Sequence, residues 1–127
     1  MAKYALENIF FLGFVSEVEL SYLYRAARGM IMPTYFGPTN IPPLEANQYG
    51  CPVAVSNIYA MPEQLGKGAI YFDQKSEDSI ADAIEKLWTD DILCAQLVQS
   101  GYRNSELWNS DRFRDRLGDI INRVSSK

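Results

Sequence analysis

Residues Phe36-Gly37-Pro38-Thr39-Asn40-Ile41-Pro42-Pro43-Leu44-Glu45-Ala46 decide how this chain is read. They follow a short apolar run, Met30-Ile31-Met32-Pro33, with the composition of a buried strand, and they lead into a helix expected from about Pro43 to Tyr49. A strand, a loop of Gly, Pro, Thr and Asn, and a helix opened by prolines make the layout of an anion site. Proline is pre-set for the first helical turn, and free backbone N–H groups converge there with the positive end of the helix dipole. Glu45, one turn into that helix, suits sugar hydroxyls better than phosphate. An anion site with a hydroxyl acceptor beside it points to a nucleotide.

Outward from this stretch, strand and helix patterns alternate. On the amino side, Asn8–Val15 is a near-continuous apolar run and reads as a buried parallel strand. Ser16 with Glu19 three residues on forms a capping box, and Val15 with Leu20 supplies its hydrophobic staple. Leu20, Leu23, Tyr24 and Ala27 make the buried stripe of the helix that follows, which Gly29 ends. A strand is expected at Gly29–Met32. On the carboxyl side, Gly50-Cys51-Pro52 turns into a strand at Val53-Ala54-Val55. A short helix near Pro62–Leu65 leads to another strand, Ala69-Ile70-Tyr71-Phe72. Ser76 caps a helix with Glu77 and Asp78 in its first turn, and Ile80, Ile84, Leu87 and Trp88 share one face. Further helices are expected from about Asp90 to Glu106 and from Ser110, the last with Phe113, Leu117, Ile120, Ile121 and Val124 in register. This order predicts an α/β fold: a Rossmann-like, parallel, right-handed sheet of about four to five strands flanked by helices, with a helical C-terminal end. In such sheets ligands collect at the carboxyl ends of the strands, where Gly13-Phe14-Val15 and Gly37–Ile41 both fall.

Composition narrows the classes. The 127 residues suit a single domain, 1–127, with one core. An apolar content of 47% and a mean hydropathy of −0.18 are ordinary for a folded, water-soluble chain. A net charge of −4 without a basic stripe argues against a nucleic-acid partner. The longest apolar run, Ile9 to Val15, falls well short of the roughly 20 residues of a membrane span, and no signal-peptide pattern is present. Cys51 and Cys94 read as buried thiols in a reducing cytoplasm. The chain has no histidine, which removes Ser-His and Cys-His nucleophiles and most zinc sites.

Three pieces, in order and with matching spacing over about residues 8 to 90, resemble the C-terminal half of a family four, retaining glycosyltransferase of the two-Rossmann-domain (GT-B) type, the glycosyl transferases group 1. Phe11-Leu12-Gly13-Phe14-Val15-Ser16, followed by Glu-Leu and Leu-Tyr-Arg-Ala-Ala, resembles the strand and helix that open the donor pocket. Pro33 through Ala46 resembles the donor loop. Gly50-Cys51-Pro52-Val53-Ala54-Val55-Ser56-Asn57, then Ala60-Met61-Pro62-Glu63, resembles the strand and turn that come next.

The resemblance implies a set of donor-binding residues. Glu45 matches the carboxylate that accepts hydrogen bonds from the ribose hydroxyls; a glutamate merely facing a helix dipole is the plainer alternative. Thr39, Asn40 and Ile41 are placed to offer N–H and side-chain groups to a diphosphate, or else make an ordinary turn. Gly13 and Phe14 match the place where backbone meets the nucleotide base, with a core aromatic as the alternative for Phe14. The family's usual first glutamate would fall at Gly37, and its Gly-Phe-Gly reads Pro38-Thr39-Asn40, so the donor-sugar contact departs from the pattern; Asn40 or Thr39 is the candidate replacement. Glu63 is explained by capping of its short helix. Arg112, Arg114, Arg116 and Arg123, interleaved with Asp111, Asp115 and Asp119, read as a solvated face with spaced ion pairs.

The implied activity is transfer of a sugar from a nucleotide-diphosphate sugar to a glycan or lipid-linked acceptor with retention, in surface polysaccharide synthesis of a bacterial type. It needs no metal and no cofactor beyond its substrate, and no Asp-x-Asp motif is present. The implied partners are the nucleotide sugar and a missing N-terminal acceptor domain of the same enzyme, which in full form could associate peripherally with a membrane. No catalytic set is complete in this half, and it is expected to be inactive alone. A nucleotide-sugar epimerase half and a non-catalytic nucleotide-binding module are the rival readings.

Overall fold

The computed structural model describes residues 7–126. Three parallel strands, β1 (Met30–Met32), β2 (Val53–Ser56) and β3 (Ala69–Phe72), lie in the order β1-β2-β3. Met30 stands opposite Val53, and Val53 opposite Ala69. Helix α1 (Glu17–Ala26) precedes β1, α2 (Ile41–Gln48) joins β1 to β2, and α3 (Met61–Leu65) joins β2 to β3. Helices α4 (Glu77–Thr89), α5 (Asp91–Ser105) and α6 (Ser110–Ser125) complete the chain.

The core follows from the period of two along β2, all four of whose residues are buried. Val53 and Val55 face a cluster with Tyr24, Ala46, Cys51, Met61 and Leu65, from the side of α1, α2 and α3. Ala54 faces the other way, toward Phe72, Ala83, Leu87, Cys94 and Leu97, from the side of α4 and α5. A parallel strand covered on both faces reads as an apolar run rather than an alternation; the polar exception, buried Ser56, donates its hydroxyl to the Met32 carbonyl at 3.5 Å. Both thiols are free and buried, as expected, and burial pushes the Cys51 thiol up to about 11.

Local chemistry sets the ends of the elements. The capping box of α1 is complete: the Glu19 N–H donates to Ser16 Oγ at 3.3 Å, and the Ser16 N–H donates to Glu19 Oε2 at 2.8 Å. Arg28 closes the far end of α4, donating to the carbonyls of Leu87 (2.7 Å) and Trp88 (3.1 Å) and pairing with Asp91 at 2.6 Å. A cation is favoured there because the last carbonyls of a helix lack partners and carry its negative pole.

Two expectations need correction. Asn8–Val15 is not a strand: no residue of it pairs with the sheet, and Phe11 and Phe14 are each 98% exposed. A strand is held by hydrogen bonds to a neighbour, and no neighbour for this run exists among the described residues. The sheet therefore has three strands rather than four or five. The α6 stripe is in register, but no residue of α6 is buried, and Phe113, Ile120, Ile121 and Val124 are all more than half exposed. Its face has the right period and no cover. Likewise on α4, Ala83 and Leu87 enter the core while Trp88 stays outside. Of the expected α6 ion pairs, Arg114–Asp111 forms among the described residues, at 3.3 Å and well exposed, where such a pair contributes little.

Candidate donor-nucleotide site

The loop between β1 and α2 lies at the carboxyl end of the sheet, beside the segment that leaves β2. Phe36 meets Tyr59 edge to face, with ring centroids 6.1 Å apart. Helix α2 begins at Ile41, two residues earlier than the prolines suggested, with Asn40 as its N-cap. Pro42 and Pro43 have no N–H to offer, so the first turn has few free donors. The Asn40 N–H is already engaged, donating to Gln64 Oε1 at 3.1 Å. Among the described residues, of the three N–H groups expected to face the diphosphate, those of Thr39 and Ile41 make no hydrogen bond.

Asn40 does not cap its own helix with its side chain. Its amide donates to Met61 Sδ at 3.3 Å and turns toward Gly37. Gly37 has φ of +137°, and a Cβ built there would stand 3.0 Å from Asn40 Oδ1 and 3.3 Å from Nδ2. The Asn40 amide thus fills the space that a side chain at position 37 would enter. The backbone angle favours glycine at 37, and a side chain there would also have to push the Asn40 amide aside by a few tenths of an ångström.

Glu45 is half-buried on α2, and Tyr24 of α1 donates its hydroxyl to Glu45 Oε2 across 3.4 Å. Tyr24 is 8% exposed and stacks on Tyr49, with centroids 6.0 Å apart, while the Arg25 guanidinium lies 5.2 Å above the Tyr49 ring. Burial, and then the neighbouring Glu45 carboxylate, push the Tyr24 hydroxyl up to about 12. It therefore remains a donor through neutral pH, holding one edge of Glu45 and leaving the rest of the carboxylate for a ligand.

The structure brings Gly37, Thr39, Asn40, Ile41 and Glu45 together on one loop and helix start. Gly13 and Phe14 stand on the irregular segment before α1. Gly13 has φ of +65° and, among the described residues, no neighbour within 4 Å of a built Cβ; Phe14, at 98% exposure, is not a core aromatic. The groove beside them is lined by Leu12, Val15, Glu19, Tyr22, Leu23 and Ala26, all from this segment and α1. Glu63 sits in the first turn of α3 and makes no capping hydrogen bond; it lies beside a groove with Trp108, Arg112 and Arg116. Tyr24 and Gln64 are additions to the site. Tyr24 is the one buried member of the stripe expected at Leu20, Leu23, Tyr24 and Ala27, of which Leu23 and Ala27 are exposed, and Gln64 carries no sequence signal.

Comparison with known proteins decides the family. The sequence model of the family described as Glycosyl transferases group 1 matches residues 1–104. The chain belongs to that family. It is 36% identical over 81 residues to the O-antigen chain mannosyltransferase B of Escherichia coli, an alignment covering 64% of this chain and 21% of that protein. It is 29% identical over 90 residues to the serotype-specific mannosyltransferase WbdA of Escherichia coli, covering 71% of this chain and 11% of that protein. Among solved structures, it superposes on sucrose-phosphate synthase from Thermosynechococcus elongatus with a TM-score of 0.80 at 20% identity, over 92% of this chain and 30% of that one. The glycosyltransferase group 1 domain thus has the Rossmann-like fold of one half of a GT-B enzyme. It spans about a fifth of the length of the first curated relative, mannosyltransferase B. No helix among the described residues is long and apolar enough to cross a membrane.

Proposed function

We propose that this domain is the donor-binding half of a retaining glycosyltransferase that moves a sugar from a nucleotide-diphosphate sugar to a glycan or lipid-linked acceptor in surface polysaccharide synthesis. The observation that carries the reading is Glu45, held at one edge by Tyr24 and placed one turn beyond a loop at the carboxyl end of the sheet. In this reading Glu45 accepts the ribose hydroxyls, and Thr39 and Ile41 face the diphosphate with their N–H groups, without a metal. The Asn40 amide, in the space of a side chain at position 37, presents a neutral group to the donor sugar. Gly13 and Phe14 meet the base. The relatives named as mannosyltransferases make mannose the first sugar to test. An acceptor domain elsewhere in the same polypeptide and a cytoplasmic location belong to the same reading.

The test is a titration of the isotope-labelled chain with UDP, GDP and ADP, read by amide chemical shifts. Shifts at Gly13–Val15 and Thr39–Glu45 with one nucleotide are expected. Silence with all three at millimolar concentration would overturn the reading.

A further inference from the structure

Helix α3 is short, yet it is tied at both ends. The Gln64 N–H donates to the Ala60 carbonyl at 2.8 Å, and the Gly66 carbonyl accepts from the Tyr71 hydroxyl at 2.6 Å. The Gln64 carbonyl accepts from Asn104 Nδ2 of α5 at 2.7 Å. The Gln64 side chain, on a residue 3% exposed, points the other way. Its Oε1 accepts from the Asn40 N–H at 3.1 Å, and its Nε2 donates to the Asn40 carbonyl at 2.7 Å. One amide therefore satisfies both main-chain groups of a single residue, as a neighbouring strand would.

The residue so held sits at the junction of loop and helix. Among the described residues, no hydrogen bond ties residues 35–39 to the rest of the molecule. Besides the Phe36–Tyr59 contact, the loop is fastened at Asn40, by Gln64 and by Met61 Sδ. The Asn40 backbone sets where the Ile41 N–H points and where the Asn40 amide stands against Gly37. We propose that Gln64 is a positioning residue for this loop: its two-pronged grip on the Asn40 main chain orients the Ile41 N–H and the Asn40 amide for the nucleotide sugar. Buried, with its oxygen and its nitrogen both turned to the Asn40 main chain, Gln64 acts through the loop rather than on the ligand. The inference rests on the nucleotide reading above, because the orientation matters only if a ligand meets those groups.

Gln64→Leu keeps the size and removes both bonds, and Gln64→Glu keeps the acceptor and loses the donor until the introduced carboxyl is protonated. Each is titrated with UDP and GDP at a temperature where circular dichroism shows it folded, and hydrogen exchange of the Asn40 amide is followed in the same samples. Pre-organisation lost from a loop shows as weaker binding, here expected to be about tenfold for Gln64→Leu, with the Asn40 amide deprotected. Gln64→Glu is expected to regain affinity as pH falls through the range of a buried carboxyl, which desolvation raises above its ordinary value, while Gln64→Leu shows no such profile. Equal binding by the wild type and Gln64→Leu would overturn the positioning role with the nucleotide reading intact. A wild type silent to nucleotides would overturn the nucleotide reading, and loss of Asn40 protection in Gln64→Leu would then still support the clamp.

Discussion

The Tyr24 hydroxyl stands 3.4 Å from Glu45 Oε2, joining the helix before β1 to the helix after it. The bond is long, so its strength matters less than its direction. A buried aromatic ring, stacked on Tyr49, sets where the hydroxyl points, and the hydroxyl sets how the carboxylate turns. The carboxylate proposed to read ribose is thus aimed by the hydrophobic core.

Removing either partner separates aim from charge. Glu45→Ala is expected to weaken nucleotide binding by about 10- to 100-fold, because hydrogen bonds to a charged group contribute about 1.5–3 kcal/mol. Tyr24→Phe keeps the ring and the charge, and should destabilise the fold by about 0.5–1.5 kcal/mol while reducing affinity only a few-fold. Urea denaturation and calorimetric titration measure the two effects. Unchanged nucleotide affinity in Glu45→Ala would remove the ribose assignment.

At position 37 a side chain would be crowded by the Asn40 amide. Gly37→Glu, which restores the usual family residue, meets the Asn40 amide at 3.0 Å from Cβ and a φ of +137°. The backbone angle alone costs on the order of 1–3 kcal/mol for a side-chain-bearing residue. Adding Asn40→Gly relieves the crowding but not the angle, so the double variant should be more stable than Gly37→Glu alone. A double-mutant cycle in urea reads this coupling; strict additivity would show that the two residues do not share the space.

Asn47 of α2 is wedged against α5. It is 1% exposed with neither amide atom hydrogen-bonded, and a Cβ at Gly101 would lie 2.7 Å from its Oδ1. Gly101→Ala is expected to cost about 1–3 kcal/mol by overpacking. Asn47→Ala in the same chain should return part of that loss, since it vacates the contested space. Denaturation midpoints of the two singles and the double decide it; a Gly101→Ala protein as stable as the wild type contradicts the close approach.

Alkaline pH should loosen the fold in a defined window. Burial, with Glu45 adding to it, pushes Tyr24 up to about 12, and burial does the same for Tyr71. Both ordinary values are 10. A folded value above the unfolded one stabilises fully below pH 10, and that contribution is lost as pH rises from 10 to 12. Tyr24 and Tyr71 should ionise late in a tyrosinate absorbance titration, and Tyr24→Phe should remove one late component and flatten the fall in stability. A titration with no late component above pH 10 would contradict the burial argument.

The strands β1, β2 and β3 were legible because each is a short, mainly apolar run bounded by Gly, Pro or polar residues, and β2 runs Val-Ala-Val before its buried Ser56 because both its faces are covered. The box at Ser16 and Glu19 was legible because its partners lie three residues apart. Asn8–Val15 has the same composition as a core strand and is none, since composition records a capacity for pairing and says nothing of a partner. The α6 stripe misleads for the same reason: periodicity names the side to be buried but not what buries it.

By itself, the sequence determined the α/β order and the loop that opens α2, because these rest on bonds and spacings within a few residues, and its resemblance to the family singled out Glu45 as the carboxylate to test. Only the tertiary structure decided that Tyr24 aims Glu45 from 21 residues away, that Gln64 grips Asn40 from 24 residues away, and that Asn40 occupies the space beside Gly37. Those relations depend on helices brought together by burial of their other faces, and a hydrogen bond between distant residues leaves no period in the chain.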